Sequence, residues 1–256
     1  MEEIRVDEQG LKKYSRRSWL AFVKFLLLGG AGYVGWKWLG NQPLDGGIQG
    51  GVPMPLREGL TANERLFGRI FSPHKRIQEY PKSQAATAVR LNGVVGLDNS
   101  QFDYAQWRLQ VKKLNGEVLS IPLKELKKLP KTEVVFNFKC IEGWSQVSWW
   151  AGVRFADFVK HYGLQKEVQL AYVGLHTPDE AYYVGMDTDS AMHPQTILSY
   201  EMNGKPLSLN HGYPLRLIIP VKYGVKHLKR IGTVFFSADK PADYWAERGY
   251  DYYTGL

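Results

Sequence analysis

One cysteine, Cys140, stands in a chain of 256 residues, and that scarcity closes several routes at once. The chain by itself cannot form an intramolecular disulfide, a Cys-x-x-Cys zinc site, a covalent c-type haem attachment or an iron–sulfur cluster with cysteine ligands. Internal repeats and low-complexity tracts are also missing, which argues against a solenoid or a disordered chain. Charge is not concentrated either. The net charge is +8, but residues 1–40 hold 7 Lys/Arg against 4 Asp/Glu, leaving 26 against 21 spread along the rest. No basic arm or stripe emerges, so nucleic acid is not expected as a partner. A solvated surface, or a mildly basic pocket for an anionic ligand, accounts for the excess.

Apolar material is ample. Hydrophobic residues make up 44% of the chain, and 8 Trp, 15 Tyr and 11 Phe supply large side chains for a well-buried core. Residues 19–39 are largely apolar, and as a helix they would span roughly 30 Å, the thickness of a bilayer core. Lys24 and Lys37 lie near the ends, where long stems reach the headgroups, and Trp19, Trp36 and Trp38 sit near the boundaries as interfacial aromatics do. Ser15-Arg16-Arg17-Ser18-Trp19-Leu20, just upstream, resembles a twin-arginine export signal. No Ala-x-Ala-like cleavage site follows, so an uncleaved signal anchor is expected. Residues 1–17 would be cytoplasmic, 18–39 would cross the inner membrane, and the remaining domain would lie on the periplasmic side. Residues 40–59, with Gly-Gly twice and Pro53-Met54-Pro55, read as a linker, and 60–256 as one catalytic domain.

Within that domain, β-branched and aromatic runs predict strands at 88–95, 107–114, 133–138, 169–173, 215–219 and 233–237. Helices are predicted at 122–129, between Pro122 and Pro130, and at 153–162, stopped by Gly163. Strands and helices do not alternate strictly, which favours an α+β domain with a mixed sheet over a doubly wound one.

Three segments give the domain a family. Residues 60–69 read Leu-Thr-Ala-Asn-Glu-Arg-Leu-Phe-Gly-Arg; residues 136–145 read Phe-Asn-Phe-Lys-Cys-Ile-Glu-Gly-Trp-Ser. The longest stretch runs from Tyr200-Glu201-Met202-Asn203-Gly204 through His211-Gly212-Tyr213-Pro214-Leu215-Arg216 to Tyr223-Gly224-Val225-Lys226-His227-Leu228-Lys229. Together they resemble the molybdopterin-binding domain shared by sulfite oxidases and methionine-sulfoxide-reductase catalytic subunits. The first segment is similar to that family's Thr-Pro-Asn-Glu…Phe-x-Val-Arg-Asn-His pterin-contacting loop, with Ala62 in place of Pro. The second is similar to its metal-cysteine loop in the Cys-x-Glu-x-Trp-Ser form. Pro241-Ala242-Asp243-Tyr244-Trp245 also fits the family, and the likeness covers about 60–250.

The resemblance implies a sulfite-oxidase-type fold and a molybdenum–molybdopterin cofactor with Cys140 as the protein's metal ligand. It also implies Asn63, Phe67, Arg69, His211, Arg216, His227, Leu228 and Lys229 around the pterin, and Tyr182 beside the reacting centre. Chemistry agrees: molybdenum favours soft sulfur donors, one thiolate suffices when the pterin brings two more, and a phosphorylated pterin needs a guanidinium fork and point cations. Gly212 and Gly224 would let the backbone approach the ligand closely. The segment 187–194 reads as a polar turn entering a helix.

The implied reaction is two-electron oxygen-atom transfer on a small oxo-substrate, with electrons exchanged through a separate haem protein. Sulfite oxidases hold their anion with Arg near the cysteine, whereas here Ile141-Glu142-Gly143-Trp144-Ser145-Gln146 follow and Glu142 would repel an anion. Reduction of an S-oxide or N-oxide is therefore favoured over sulfite oxidation. Two other readings remain open: a catalytically silent, membrane-tethered binding module on the same fold, and a cysteine nucleophile activated by a histidine.

Overall fold

The structure, a computed structural model, describes residues 8–46, 51–70, 75–97 and 102–256. It opens with α1 (Glu8–Gly40), within which Ser15–Gly40 is long and apolar enough to cross a membrane and has no buried residue. The predicted linker is shorter than 40–59. A second helix, α2 (Met54–Ile70), begins inside it, with Pro55 in the first turn where a missing N–H costs nothing.

The body then runs in chain order. β1 (Leu109–Lys112) and β2 (Val118–Ile121) form a hairpin, followed by the single turn α3 (Leu123–Leu126). β3 (Lys131–Lys139) and β4 (Ser145–Arg154) form the longest hairpin, and α4 (Phe155–His161) follows directly. Next come β5 (Tyr172–His176), β6 (Tyr183–Asp187) and α5 (Thr188–Ala191). Asp187 caps α5 by accepting the Ser190 N–H, so 187–194 is the polar helix entry expected of it. β7 (Ile197–Met202), β8 (Lys205–Pro206), β9 (Arg216–Ile218) and β10 (Thr233–Ser237) complete the fold.

These strands make two five-stranded sheets. One has the order β2-β1-β10-β5-β6; the other runs β3-β4-β7-β8, with β9 also pairing β7. β1 and β10 are parallel and the remaining pairs antiparallel, so the α+β class with a mixed sheet holds. A large apolar core joins the first sheet to α4 through residues such as Val111, Phe158, Val173 and Val234. A smaller one, built on Val134, Phe136, Phe138, Trp150 and Ile218, includes Cys140.

Most predicted strands are present, with β5 shifted from 169–173 to Tyr172–His176. The expected strand at 88–95 is instead an irregular loop. Its backbone finds partners on the edge of the β3–β4 hairpin: Gln146 accepts from the Arg90 N–H at 2.8 Å and donates to Ala88 O at 3.1 Å. A side-chain amide thus replaces the ladder that a strand would need.

Candidate active site

Cys140 sits where β3 ends. Its N–H donates to Trp144 O at 2.9 Å and its carbonyl accepts from Gly143 at 3.1 Å, closing a tight turn before β4. The hairpin therefore presents the cysteine from the rigid edge of a sheet rather than from a free loop. Burial pushes the thiol pKa up, backbone N–H groups of the turn pull it down, and the Glu142 carboxylate adds to the rise.

The thiol borders a cavity of about 240 Å³. Cys140, Tyr182, His227 and Lys229, all expected at the site, line it together. Asn92 and Gly93 close one side, Gly224 and Val225 another, and Trp245 and Tyr250 a third. Arg216 stands one layer away in a narrow gap bounded by Arg90, Asn92, Trp144 and Trp150. His211 and Leu228 support that layer without reaching the cavity. His211 O accepts from Arg216 at 3.2 Å, its ring bonds Ser208 and Val89, and Leu228 is a fully buried core residue.

Asn63, Phe67 and Arg69 are not brought to this place. Residues 60–69 continue α2 as regular helix, and all three side chains are solvent-exposed. The loop that does meet the cavity is 89–95. Val89-Arg90 supplies the Val-Arg pair of the resembled motif, and Asn92 follows two residues later, donating to Gly224 O at 3.3 Å. That pair was the sequence signal for this loop. Trp245 ends the family-like stretch Pro241–Trp245, whereas Tyr250 had no such signal, since only tertiary packing turns the residues after it onto the cavity.

Each polar wall group has a defined state. His227 is fully buried between Phe136 and Phe138, and burial, then the charge of Arg216, lowers its pKa to about 3, so its ring is neutral. The Ile219 N–H points at Nδ1 (3.5 Å) and Nε2 donates to Lys222 O (3.2 Å). With both ring nitrogens engaged by backbone, His227 is not available as a base for a cysteine nucleophile. Lys229 donates to Gly93 O; burial, then Arg216, lowers its pKa to about 7. Tyr182 donates its hydroxyl proton to Val225 O at 2.5 Å, so that proton is held by backbone instead of being presented to the cavity. Its pKa is raised, chiefly by burial. Gly212 and Gly224 serve the protein's own packing: a Cβ would meet Lys229 Cα at 3.0 Å in the first case and the Phe138 ring at 2.8 Å in the second.

The wall fits an anionic, sulfur-bearing ligand. Arg216 is 1% exposed, stacks its guanidinium 4.5 Å from the Trp150 ring centre, and has a buried Nε with no acceptor. Burial lowers its pKa to about 9. Among the described residues no carboxylate pairs with it, and none of their His, Cys, Asp and Glu side chains cluster in threes to hold a bare metal ion. A metal at Cys140 would thus draw its remaining donors from a bound organic group, and Lys229 and Arg216 offer that group cationic partners.

Residues 96–245 match the oxidoreductase molybdopterin binding domain, more than half of the chain, and the protein belongs to that family. It is an oxidoreductase of the molybdopterin-binding class. Among its relatives is the "Putative protein-methionine-sulfoxide reductase subunit YedZ1" of Azospira oryzae, 33% identical over 194 residues, covering 75% of this chain and 73% of that one. The protein-methionine-sulfoxide reductase catalytic subunit MsrP of Campylobacter jejuni is 30% identical over 172 residues, covering 60% of this chain and 58% of that protein. A solved structure, the sulfane dehydrogenase SoxCD of Paracoccus pantotrophus, aligns with a TM-score of 0.49 at 17% identity over 55% of this chain and 40% of its own.

Proposed function

We propose that this protein is a membrane-tethered molybdenum–pterin reductase that removes the oxygen atom from an S-oxide, with methionine sulfoxide as the first substrate to test. The observation that carries the proposal is Cys140, the chain's one thiol, at the wall of a cavity that Lys229 and Glu142 also line. In this reading Cys140 holds the metal as thiolate, because a coordinating cation deprotonates a thiol that burial alone keeps neutral. Lys229 and Arg216 hold the phosphorylated tail, while His227 and Asn92 fix the cavity wall. When bound, the cofactor supplies two-electron oxygen-atom transfer. In balance, the S-oxide takes two electrons and two protons and leaves as the sulfide and water.

No arginine among the described residues lines the cavity, and Glu142 stands beside the thiol. A neutral sulfoxide is a better tenant than sulfite on electrostatic grounds. The names of the Azospira and Campylobacter relatives support the same substrate class. α1 serves as the anchor, the twin-arginine-like Ser15–Leu20 as the export address, and a haem protein as electron donor on the periplasmic side.

The test is elemental analysis and turnover of protein purified from membranes of a host that makes the cofactor. About one molybdenum per chain, sulfoxide reduction with a reduced dye, and loss of both in Cys140→Ser are expected. Cofactor-loaded protein that oxidises sulfite and ignores sulfoxides would reverse the direction. Folded protein without molybdenum or pterin would make the chain a binding module.

A further inference from the structure

α2 has two faces, and among the described residues only one of them meets the rest of the protein. On its inner side Arg57 donates to Tyr250 O at 2.9 Å, to Ala246 O at 2.8 Å and to Asp45 Oδ2 at 2.5 Å, while Glu64 pairs with Lys240 at 2.5 Å. The helix is therefore fixed to the wall segment 245–250, which borders the cavity. Its outer side is apolar. Leu56, Leu66, Phe67 and Ile70 are 47%, 56%, 51% and 68% exposed. At about 100° per residue they fall within an arc of roughly 100°, interrupted only by Gly59 and Asn63. The helix buries none of its residues fully, so this stripe is not a core face seen from outside.

Its position along the chain identifies what covers the stripe. α1 ends at Gly40, and the N–H of Met54, the first residue of α2, donates to Pro43 O at 2.9 Å, with Leu44 and Pro53 bridged beside it. The start of α2 is thus held about three residues, roughly 10 Å, from the end of the membrane-spanning helix. A helix starting there, with an apolar stripe outward and Arg69 exposed about 60° beyond its Leu66 edge, is suited to the zone where headgroup phosphates meet acyl chains. A single exposed apolar residue is ordinary, but four on one face of a docked helix are not.

We propose that α2 lies in the headgroup region of the lipid bilayer, with Leu56, Leu66, Phe67 and Ile70 in the acyl boundary. Through Arg57 it fixes how the catalytic cavity is turned towards the membrane. This inference rests on α1 being a membrane anchor. The partner favoured by the observations is lipid, because the tether positions the stripe at the bilayer before any protein is met.

The experiment uses the full-length protein in vesicles of phosphatidylethanolamine and phosphatidylglycerol, washed with alkaline carbonate to test the anchor. Cys140 is buried, so a nitroxide reagent marks Phe67→Cys, with Leu114→Cys on the exposed β1–β2 turn as the aqueous reference. Carbonate-resistant protein whose label at 67 collides several-fold more with oxygen than with a water-soluble nickel chelate, the reverse of 114, is the expected result. Resistance to carbonate with a label at 67 as water-accessible as that at 114 would overturn the lipid placement and leave the anchor intact. A label shielded in native membranes but not in pure lipid would overturn it in favour of a protein partner. Release by carbonate would overturn the anchor itself and this inference with it.

Discussion

Lys226 and Asp243 form an ion pair of 2.5 Å in which both side chains are almost wholly buried. The lysine also donates to Gly185 O at 2.7 Å, and Asp243 also accepts from the N–H of Gly185 at 3.2 Å and of Ala246 at 3.0 Å. Three segments meet there: the turn carrying Gly224 and Val225, the middle of β6, and the stretch leading to Trp245. Two of the three are walls of the cavity. The pair therefore sets the shape of the site without facing it.

Removing one partner should be costly. Asp243→Ala leaves a buried ammonium without its counter-charge, and a loss of about 3–5 kcal/mol in unfolding free energy is expected. The double variant Lys226→Met with Asp243→Leu should recover a substantial part of that, because no buried charge remains. Equal destabilisation of single and double variants in denaturant titrations would refute the pairing as the source of the cost.

Arg216 should behave differently with and without cofactor. Its charge is buried on Trp150 with an unsatisfied Nε, so Arg216→Met is expected to leave the cofactor-free protein as stable as wild type or more stable, by about 1–3 kcal/mol. The same variant should lose pterin on purification. Arg216→Lys keeps a charge but not the planar fork, and should retain pterin only in part. Thermal melts of cofactor-free protein, read beside pterin content, separate the two effects. A variant less stable without cofactor would make Arg216 a structural residue.

The sequence carried much of this arrangement where local chemistry and tertiary use coincide. β10 was legible because Thr-Val-Phe-Phe-Ser has both the propensity and the alternating burial of a strand. Cys140, His227 and Lys229 were legible because their order resembles a known family, and the fold brings them to one cavity. Residues 60–69 misled because Asn-Glu…Phe-x-Arg copies a loop motif, while Leu60, Leu66, Phe67 and Ile70 at helical spacing form α2. Residues 88–95 misled in the opposite sense, since their β-branched residues and leucine serve a loop held by Gln146. Tyr182 lines the same cavity as Cys140, but sequence could not show that Val225 O takes its proton.

Acid should weaken the protein through Asp187. Burial alone would raise its carboxyl pKa, but the Lys222 ammonium, 2.8 Å away, and hydrogen bonds from Lys222 and Ser190 outweigh that and hold it below the usual 3.8. A pKa lower in the folded than in the unfolded chain contributes stability that is complete above the unfolded value and is lost as pH falls through the folded one. Asp187→Asn keeps a competent helix cap and loses the ion pair, at a cost of about 1–3 kcal/mol near neutral pH. The gap between wild type and variant should narrow below about pH 4 and close in stronger acid. Denaturant midpoints measured across that range check the sign; a gap that widens in acid would show the opposite linkage.

Glu142 should control which oxo-substrates enter. It is exposed at the mouth, accepts a hydrogen bond from Trp144 Nε1 at 2.8 Å, and follows Cys140 by two residues. An exposed carboxylate exerts only about 0.2–1 kcal/mol on a nearby charge, so the effect on any one substrate is expected to be roughly 1.4- to fivefold. Glu142→Gln should lower KM for sulfoxides carrying a carboxylate by that factor and leave neutral dimethyl sulfoxide almost unchanged. Added salt should compress the wild-type difference, because the interaction is through solvent. Because Gln can still accept the Trp144 hydrogen bond, the turn that presents Cys140 is preserved, and molybdenum content should not fall. A KM change of equal size for charged and neutral sulfoxides would mean that Glu142 shapes the mouth by its contacts, and that its charge selects nothing.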